Sequence, residues 1–150
     1  SNALGTVNPI KFNIARDHSF SANVLIVGSL AIPHFSVDVN DLNADFYVFS
    51  AHKFCGPTGV GILYAKQSIL EDFPPYQGGG EMIDEVTFEK TTYADLPNKF
   101  EPGTPNIAGV IASGIALDYI NGIGLDNLIS LWLDKYVLNK DGFFEVLPPI

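Results

Sequence analysis

Two short apolar runs, residues 23–28 and 45–50, constrain the fold of this chain more than any other feature. Both are rich in β-branched and aromatic residues and too short to be core helices, so they predict buried strands. Gly61–Ala65 has the same character and predicts a third strand. Segments with helical signals precede and follow these runs. This alternation predicts an α/β fold with a mainly parallel sheet and flanking helices.

Helix signals lie on both sides of the predicted sheet. Asn8 and Pro9 are typical of a helix start, and the residues that follow predict a helix to about residue 21. Residues 68–73 predict a short helix that two prolines end. The connection 33–45 carries proline and several aspartates, which predicts an irregular segment.

The second half of the chain begins with a glycine-rich segment, 76–99, which predicts a long functional loop with a little strand near 86–88. Thr104 and Pro105 then predict a capped helix start. The helix that follows is apolar nearly all round, and this pattern predicts deep burial. A further helix is predicted for 125–138.

Charge and cysteine content exclude several classes of function. The formal net charge is -9 and only eight residues are Lys or Arg, which opposes nucleic-acid binding. The apolar runs are much shorter than the roughly 20 residues of a membrane span, and no signal-peptide pattern opens the chain. Cys55 is the only cysteine, which excludes an intrachain disulfide and favours a cytoplasmic protein. A mean hydropathy of +0.20 predicts a surface that binds a partner.

Lys53 lies three residues after the end of the predicted strand 45–50, close to Ser50 and His52. Ligands of parallel sheets gather beyond the carboxyl ends of the strands, which is where these three side chains lie. A lysine amine at such a position forms a Schiff base with an aldehyde when burial or a nearby cation favours its neutral form. From composition alone, a solvated loop lysine is the commoner interpretation.

A resemblance to a known family favours the first interpretation. Four segments resemble, in the same order, the successive motifs of the class V aminotransferase family, most closely those of SUF-type cysteine desulfurases and selenocysteine lyases. These segments are 50–53, 56–64, 78–83 and 100–106. The similarity extends to about Tyr136. It implies the large domain of fold type I, with pyridoxal 5'-phosphate as the cofactor.

The resemblance also implies roles for individual residues. Lys53 is implied to be the catalytic lysine, which holds the cofactor as a Schiff base and carries protons. Ser50 and His52 are implied to bind the cofactor phosphate. Thr104 is implied to reach the phosphate in the partner subunit of a homodimer, next to the favourable end of a helix dipole. An N-cap is the alternative role of Thr104. No metal site is expected.

Two positions depart from the family pattern. In the family, an aspartate at the position of Val27 pairs with the pyridinium nitrogen, and a glutamine at the position of Leu30 lies near the phenolic oxygen of the cofactor. A carboxylate keeps the ring nitrogen protonated and so maintains the electron sink. Valine offers neither a hydrogen-bond acceptor nor a compensating charge. The substitutions therefore predict weaker cofactor binding and weaker catalysis.

The matched region corresponds to the central part of the family's large domain. In the family, further phosphate ligands come before the position of Leu4, and the small domain with the nucleophilic cysteine comes after that of Ile150. Cys55 does not match this nucleophile, and both Cys55 and His18 are interpreted as structural residues. We therefore expect residues 1–150 to be a partial domain that does not, alone, convert L-cysteine to L-alanine and an enzyme persulfide.

The sequence leaves two alternatives open. In one, the chain is a non-catalytic module that self-associates through surfaces that normally face the absent segments. In the other, it serves a different class V reaction, such as selenocysteine cleavage. In full-length relatives, the implied partners are a second subunit and a sulfur-acceptor protein of iron–sulfur cluster assembly.

Overall fold

The centre of the fold is a three-stranded sheet with the strand order β1–β2–β3. The computed structural model describes residues 6–128 and 130, together with the backbone of 136–138 and 144–146. Strand β1 is Leu25–Val27, β2 is Phe46–Ser50 and β3 is Gly61–Ala65. The three strands predicted from the apolar runs are therefore confirmed.

The sheet is mixed. Strands β1 and β2 are parallel, with Val27 opposite Val48, whereas β2 and β3 are antiparallel, with Ser50 opposite Gly61. The α/β fold is confirmed, and the expected parallel pairing holds for β1 and β2. Strand β3 runs antiparallel because only residues 51–60 connect it to β2, and a parallel crossover needs about a dozen residues or more.

Three α-helices lie in the first half of the chain, among the strands of the sheet. They are α1, Ile10–His18, α2, Val39–Leu42, and α3, Gln67–Asp72. Helix α1 ends before residue 21, where Ser21 takes a left-handed φ of 57°. Helix α2 lies in the connection predicted to be irregular. The Asp38 side chain caps it by accepting the N–H groups of residues 40 and 41, and Asn43 ends it with a φ of 56°.

The segment 76–99 contains a β-hairpin that the sequence pattern indicates only in part. Strand β4, Ile83–Val86, pairs antiparallel with β5, Thr91–Tyr93. In the turn between them, the Thr87 N–H donates to the Lys90 carbonyl at 2.8 Å. The strand predicted near 86–88 is placed too late in the chain, because the charged residues of β4 give little apolar alternation.

Helix α4, Ile107–Ile123, begins at a different cap from the predicted one. The Asn106 side-chain oxygen accepts the Gly109 N–H at 3.0 Å, so Asn106 is the cap. Thr104 lies before this cap, and the prediction that it caps the helix is wrong. Asparagine is at least as good a cap as threonine, so residue type alone does not favour Thr104 over Asn106.

One face of α4 is buried and the opposite face is apolar and exposed. Only Gly109, Ser113 and Ala116 are buried. Ile107 and Ile111 on the outer face are 58% and 62% exposed. The predicted deep burial of this helix is therefore wrong. A helix that is apolar all round needs neighbours all round, and the described part of the chain covers only one side of it.

The buried face of α4 packs against the sheet at the end of β2. Ala51, Phe54 and Ala116 form the core cluster, and Phe49 and Ile120 are among the side chains that pack against it. The rings of Phe49 and Phe54 are 5.9 Å apart. The core therefore lies directly beneath the turn that follows β2.

Of the last predicted helix, 125–138, residues 125–128 and 130 are helical. Tyr136–Leu138 instead forms β6, which pairs antiparallel with β7, Phe144–Val146. The prediction of helix as far as residue 138 is wrong because aromatic and β-branched residues favour a strand there. Residues 131–135 lie outside the described residues. None of the described helices combines the length and apolar content that crossing a bilayer requires.

Candidate functional site

The site is built on the turn that follows β2. Residues Ala51–Lys53 form one turn of 3-10 helix. The N–H groups of Phe54 and Gly56 both donate to the Ala51 carbonyl, at 3.0 and 2.9 Å. The Ala51 N–H donates to the Val60 carbonyl at 3.0 Å. The turn therefore closes around Ala51 and is tied to the segment that enters β3.

Local residue types explain the shape of this turn. A Cβ atom on Gly56 would lie 2.8 Å from the Ala51 carbonyl oxygen, so the close approach requires glycine. Phe54 is 1% exposed and anchors the turn in the core. Cys55 follows with a φ of 64°, and its side chain is exposed.

Ser50, His52 and Lys53 lie at the carboxyl edge of the sheet, where the sequence predicted them. Ser50 is half-buried, whereas His52 and Lys53 are exposed. Strand β1 ends at the same edge because it is parallel to β2. Val27, its last residue, is 73% exposed, and Leu30 in the following turn is 36% exposed. The edge thus combines an amine, an imidazole and a hydroxyl with apolar neighbours.

The electrostatic character of this edge suits an anion. The segments 25–33 and 46–60, which comprise β1, β2 and the turns after them, contain no Asp or Glu. Lys53 carries a positive charge, and His52 and Ser50 are able to donate hydrogen bonds. Donors of this kind make short, charge-assisted hydrogen bonds to phosphate.

Helix α4 begins beside the loop that leads from Lys53 to β3. The Asn106 Nδ2 atom lies 3.5 Å from the Gly59 carbonyl oxygen. A Cβ atom on Gly109 would lie 2.7 Å from the Val60 side chain, so glycine permits this close approach. Thr104 is exposed just before the helix. No hydrogen bond joins Thr104 to the other predicted site residues in the described part of the chain, and its role toward a partner subunit stays a prediction.

A buried carboxylate holds the opposite end of β2. Asp45 is 4% exposed and accepts hydrogen bonds from Lys66 Nζ at 2.7 Å, His18 Nε2 at 2.7 Å and the Val24 N–H at 2.8 Å. Burial raises the pKa of Asp45, but the hydrogen bonds from these three groups and the Lys66 charge outweigh burial and lower the pKa to about 2. The carboxylate therefore joins α1, the start of β1 and the end of β3.

Sequence reasoning missed this network. The available signal was the register of charges: Asp45 precedes β2, and Lys66 follows β3, whose last residue pairs with the first residue of β2. A predicted antiparallel pairing of the two strands places these opposite charges side by side. The structural interpretation of His18 agrees with its place in the network.

Sequence reasoning also missed the contact between Gly28 and Tyr47. Tyr47 is 1% exposed, and a Cβ atom on Gly28 would overlap its phenol ring. Among the described residues, the Tyr47 hydroxyl is a buried side-chain group without a hydrogen-bond partner. Burial raises the pKa of this hydroxyl.

A separate cleft of about 550 Å³ lies between α3 and β5 and includes Glu71, Tyr93 and Lys99 in its lining. None of the predicted site residues lines this cleft. The Lys99 amine donates to the carbonyls of Leu70 and Glu71 at 3.2 and 3.0 Å, so it helps to hold the end of α3. Within residues 6–128 and 130, no group of three or more His, Cys, Asp or Glu side chains is placed to bind a metal.

Comparisons with known proteins agree with the motifs around Lys53. The cysteine desulfurase of Cronobacter sakazakii (strain ATCC BAA-894) is 54% identical over 129 residues, which are 85% of this chain and 32% of that protein. The crystal structure of the cysteine desulfurase CsdA from Escherichia coli matches with a TM-score of 0.79 and 41% identity, over 82% of this chain and 31% of that one. A structure of C-DES with glycine covalently linked to its PLP cofactor matches with a TM-score of 0.72 and 25% identity, over 84% of this chain and 34% of that one.

The chain spans about a third of the length of the curated relatives it matches. The likeness to CsdA confirms the predicted fold type I. The family model described as Aminotransferase class-V matches residues 1–134, a region that contains all four motifs. The chain belongs to the class V aminotransferase family.

Proposed function

We propose that this chain is the part of a cysteine desulfurase that carries the cofactor lysine, and that Lys53 binds pyridoxal 5'-phosphate. The observation that carries the proposal is the joint placement of Lys53, His52 and Ser50 at one edge of the sheet, on a turn anchored in the core by Phe54. The similarity to cysteine desulfurases over most of the chain supports the same reaction class.

The residues at this edge fit two of the three parts of the cofactor. The Lys53 amine is exposed and therefore accessible to the aldehyde. The Ser50 hydroxyl and the His52 ring N–H suit the phosphate, since both donate hydrogen bonds and no carboxylate of their own segment repels the anion. The ring nitrogen has no matching acceptor at Val27. The site therefore fits the carbonyl and phosphate ends of pyridoxal phosphate and does not fit its protonated ring.

Each residue has a defined task in this proposal. When bound, pyridoxal phosphate supplies the electron sink for bond cleavage next to an amino group. Lys53 holds the aldehyde carbon and takes up or releases a proton at Nζ. Ser50 and His52 orient the phosphate. The start of α4, with Thr104 ahead of it, adds the positive end of a helix dipole for the phosphate of a second subunit.

The cellular setting follows from the same resemblance. We place the full-length enzyme in the SUF-type branch, in the cytoplasm, as a homodimer that passes sulfur to an acceptor protein of iron–sulfur cluster assembly. The Gly56-Pro-Thr-Gly motif supports the branch, and the single cysteine supports a reducing compartment. We expect the 150-residue chain alone to be inactive, because a third of an enzyme lacks many of the groups that position a substrate.

The first experiment compares the binding of pyridoxal phosphate with that of pyridoxal, which has no phosphate. If Ser50 and His52 hold the phosphate, pyridoxal phosphate binds at least about ten-fold more tightly. Ser50→Ala and His52→Ala should reduce this preference, and Ser29→Ala, in the turn after β1, should not. Equal binding of the two aldehydes would contradict the assignment of the phosphate site.

A second experiment tests turnover by the chain. Purified protein with pyridoxal phosphate is mixed with L-cysteine or with selenocysteine, and sulfide, selenide and alanine are measured. We expect no alanine above a Lys53→Ala control with either substrate. Robust alanine formation from cysteine would disprove the proposed inactivity, and formation from selenocysteine alone would favour the lyase alternative.

A non-catalytic module that self-associates is the second candidate. The observation that favours it is the outer face of α4, where Ile107, Ile111 and Ile115 are 58%, 62% and 65% exposed. Exposed apolar patches of this kind mark association surfaces. This candidate needs no ligand at Lys53, so the aldehyde-binding experiment separates the two functions.

A further inference from the structure

The carboxyl edge of the sheet that carries Lys53 has no carboxylate in its own strands and turns. In the segments 25–33 and 46–60, the only basic side chains are those of His52 and Lys53, and none is acidic. Val27 is 73% exposed at the end of β1, and Leu30 is 36% exposed in the turn after it. An additional cation at this edge would have no carboxylate of these segments as a partner.

This character bears on the ring of a bound cofactor. A pyridine nitrogen stays protonated in a protein when a carboxylate accepts its N–H and balances its charge. At Val27 the side chain does neither, and the segments 25–33 and 46–60 offer no other carboxylate that could do so. An uncharged ring costs less to place there than a pyridinium ion.

We propose that the site recognises the aldehyde and the phosphate of its ligand and binds aromatic rings with and without a ring nitrogen about equally well. This inference rests on the proposed function, because it assumes that Lys53 binds the aldehyde. The ligand class is then wider than pyridoxal phosphate: it includes phosphate-bearing aromatic aldehydes that have a C–H in place of the ring nitrogen. Val27 is the residue that determines this lack of selectivity.

The test compares pyridoxal phosphate with its benzene analogue, which has the same aldehyde, hydroxyl and phosphate groups and no ring nitrogen. The Lys53 amine condenses with either aldehyde and releases one water. Borohydride then adds a hydride to the carbon of the C=N bond, and the nitrogen takes a proton from water. The resulting secondary amine is stable, so the mass of the Lys53 peptide gives the labelled fraction with each aldehyde.

We expect the wild-type chain to be labelled at Lys53 by both aldehydes to within about two-fold. Val27→Asp introduces the missing carboxylate and should favour pyridoxal phosphate by about ten-fold, the ratio that a charge-assisted hydrogen bond provides. Leu25→Asp is the matched control. It lies on the same face of β1 two residues earlier and is also exposed, at 54%, so it should leave the ratio unchanged.

The outcomes separate this inference from the proposed function. A ten-fold preference of the wild-type chain for pyridoxal phosphate would overturn the inference and leave the proposed function intact. Labelling by neither aldehyde would overturn the proposed function and the inference with it. An unchanged ratio in Val27→Asp would show that Val27 does not lie at the ring nitrogen and would overturn its assigned role.

Discussion

Gly28 and Tyr47 pack against each other where the parallel pair of strands ends. The Tyr47 ring occupies the volume that a side chain at Gly28 would need. The ring is fully buried although its hydroxyl lacks a hydrogen-bond partner in the described structure, which costs about 1–3 kcal/mol. The packing of the ring against the Gly28 backbone must offset this cost. Position 28 therefore has to stay without a Cβ atom.

Gly28→Ala tests this residue-scale contact. The new methyl group would overlap the phenol ring, so we expect the free energy of unfolding to fall by about 2 kcal/mol or more, measured by urea denaturation. Gly78→Ala is the control, because a Cβ atom there meets open space. A loss in Gly28→Ala no larger than that in Gly78→Ala would contradict the contact.

At the scale of elements, Asp45 joins α1 and the ends of three strands. The pKa of its carboxyl is about 2 in the folded chain and 3.8 when free, so the folded state favours the ionised form. Because the folded pKa is the lower one, the stabilisation is present above pH 4. It is lost as the pH falls from about 4 through about 2. The amount is about 2 kcal/mol, and it is shared among all the partners of the carboxylate.

Asp45→Asn should remove most of this stabilisation at pH 7 and should flatten the dependence of stability on pH between about 4 and 2. Asp41→Asn is the control. Asp41 pairs with Lys11 at 2.6 Å, but both side chains are more than 60% exposed, and exposed pairs contribute about 0–1 kcal/mol. Equal losses in the two variants, measured by denaturation at several pH values, would contradict a special role of Asp45.

Two residues at the start of α4 have different assigned roles: Asn106 caps the helix, and Thr104 is a candidate phosphate-binding residue. Asn106→Ala removes the cap that accepts the Gly109 N–H and should lower the free energy of unfolding by about 1 kcal/mol. Thr104→Ala should leave stability unchanged, since Thr104 caps nothing. A weaker affinity of Thr104→Ala for pyridoxal phosphate would then report a binding role. A stability loss in Thr104→Ala equal to that in Asn106→Ala would contradict the assignment of the cap.

Local chemistry determines which of these elements the sequence predicts. The strands over 25–27, 46–50 and 61–65 follow from continuous apolar runs, and the short connection 51–60 sets the direction of β3. The hairpin of β4 and β5 escaped prediction because its strands are polar and short. The burial of α4 depends on which elements pack against it, and the apolar pattern of the helix alone does not show that the described residues cover only one of its sides.

At the scale of the whole molecule, the outer face of α4 is an apolar surface that no described element covers. If self-association uses this face, light scattering should show a concentration-dependent rise in mass for the wild-type chain and a smaller rise for Ile111→Glu. Val7→Glu introduces the same charge at another exposed apolar residue and should behave as the wild type. A wild-type chain that stays monomeric at all concentrations would contradict this use of the face.

The sequence predicted the position of the candidate site in the sheet. It did not predict the exposure and packing of the site residues. Lys53 follows an apolar strand, and this alone places it at the carboxyl edge of the sheet. The resemblance over the four motifs predicted that Ser50, His52 and Thr104 bind the phosphate. The exposure of Lys53 and the anchoring of its turn by Phe54 required the structure, because they depend on how α4 packs beneath the turn. The Asp45 network needed the register of β2 and β3.

The most direct test of Lys53 as the cofactor lysine is to identify the residue to which pyridoxal phosphate attaches. The aldehyde is supplied at a concentration equal to that of the chain. After borohydride reduction, peptide mass analysis should find the adduct on Lys53, with little on exposed lysines such as Lys90, and Lys53→Ala should remove it. Lys90→Ala should leave the adduct unchanged. Labelling spread evenly over the lysines, or retained in Lys53→Ala, would contradict the claim that this edge of the sheet is a cofactor site.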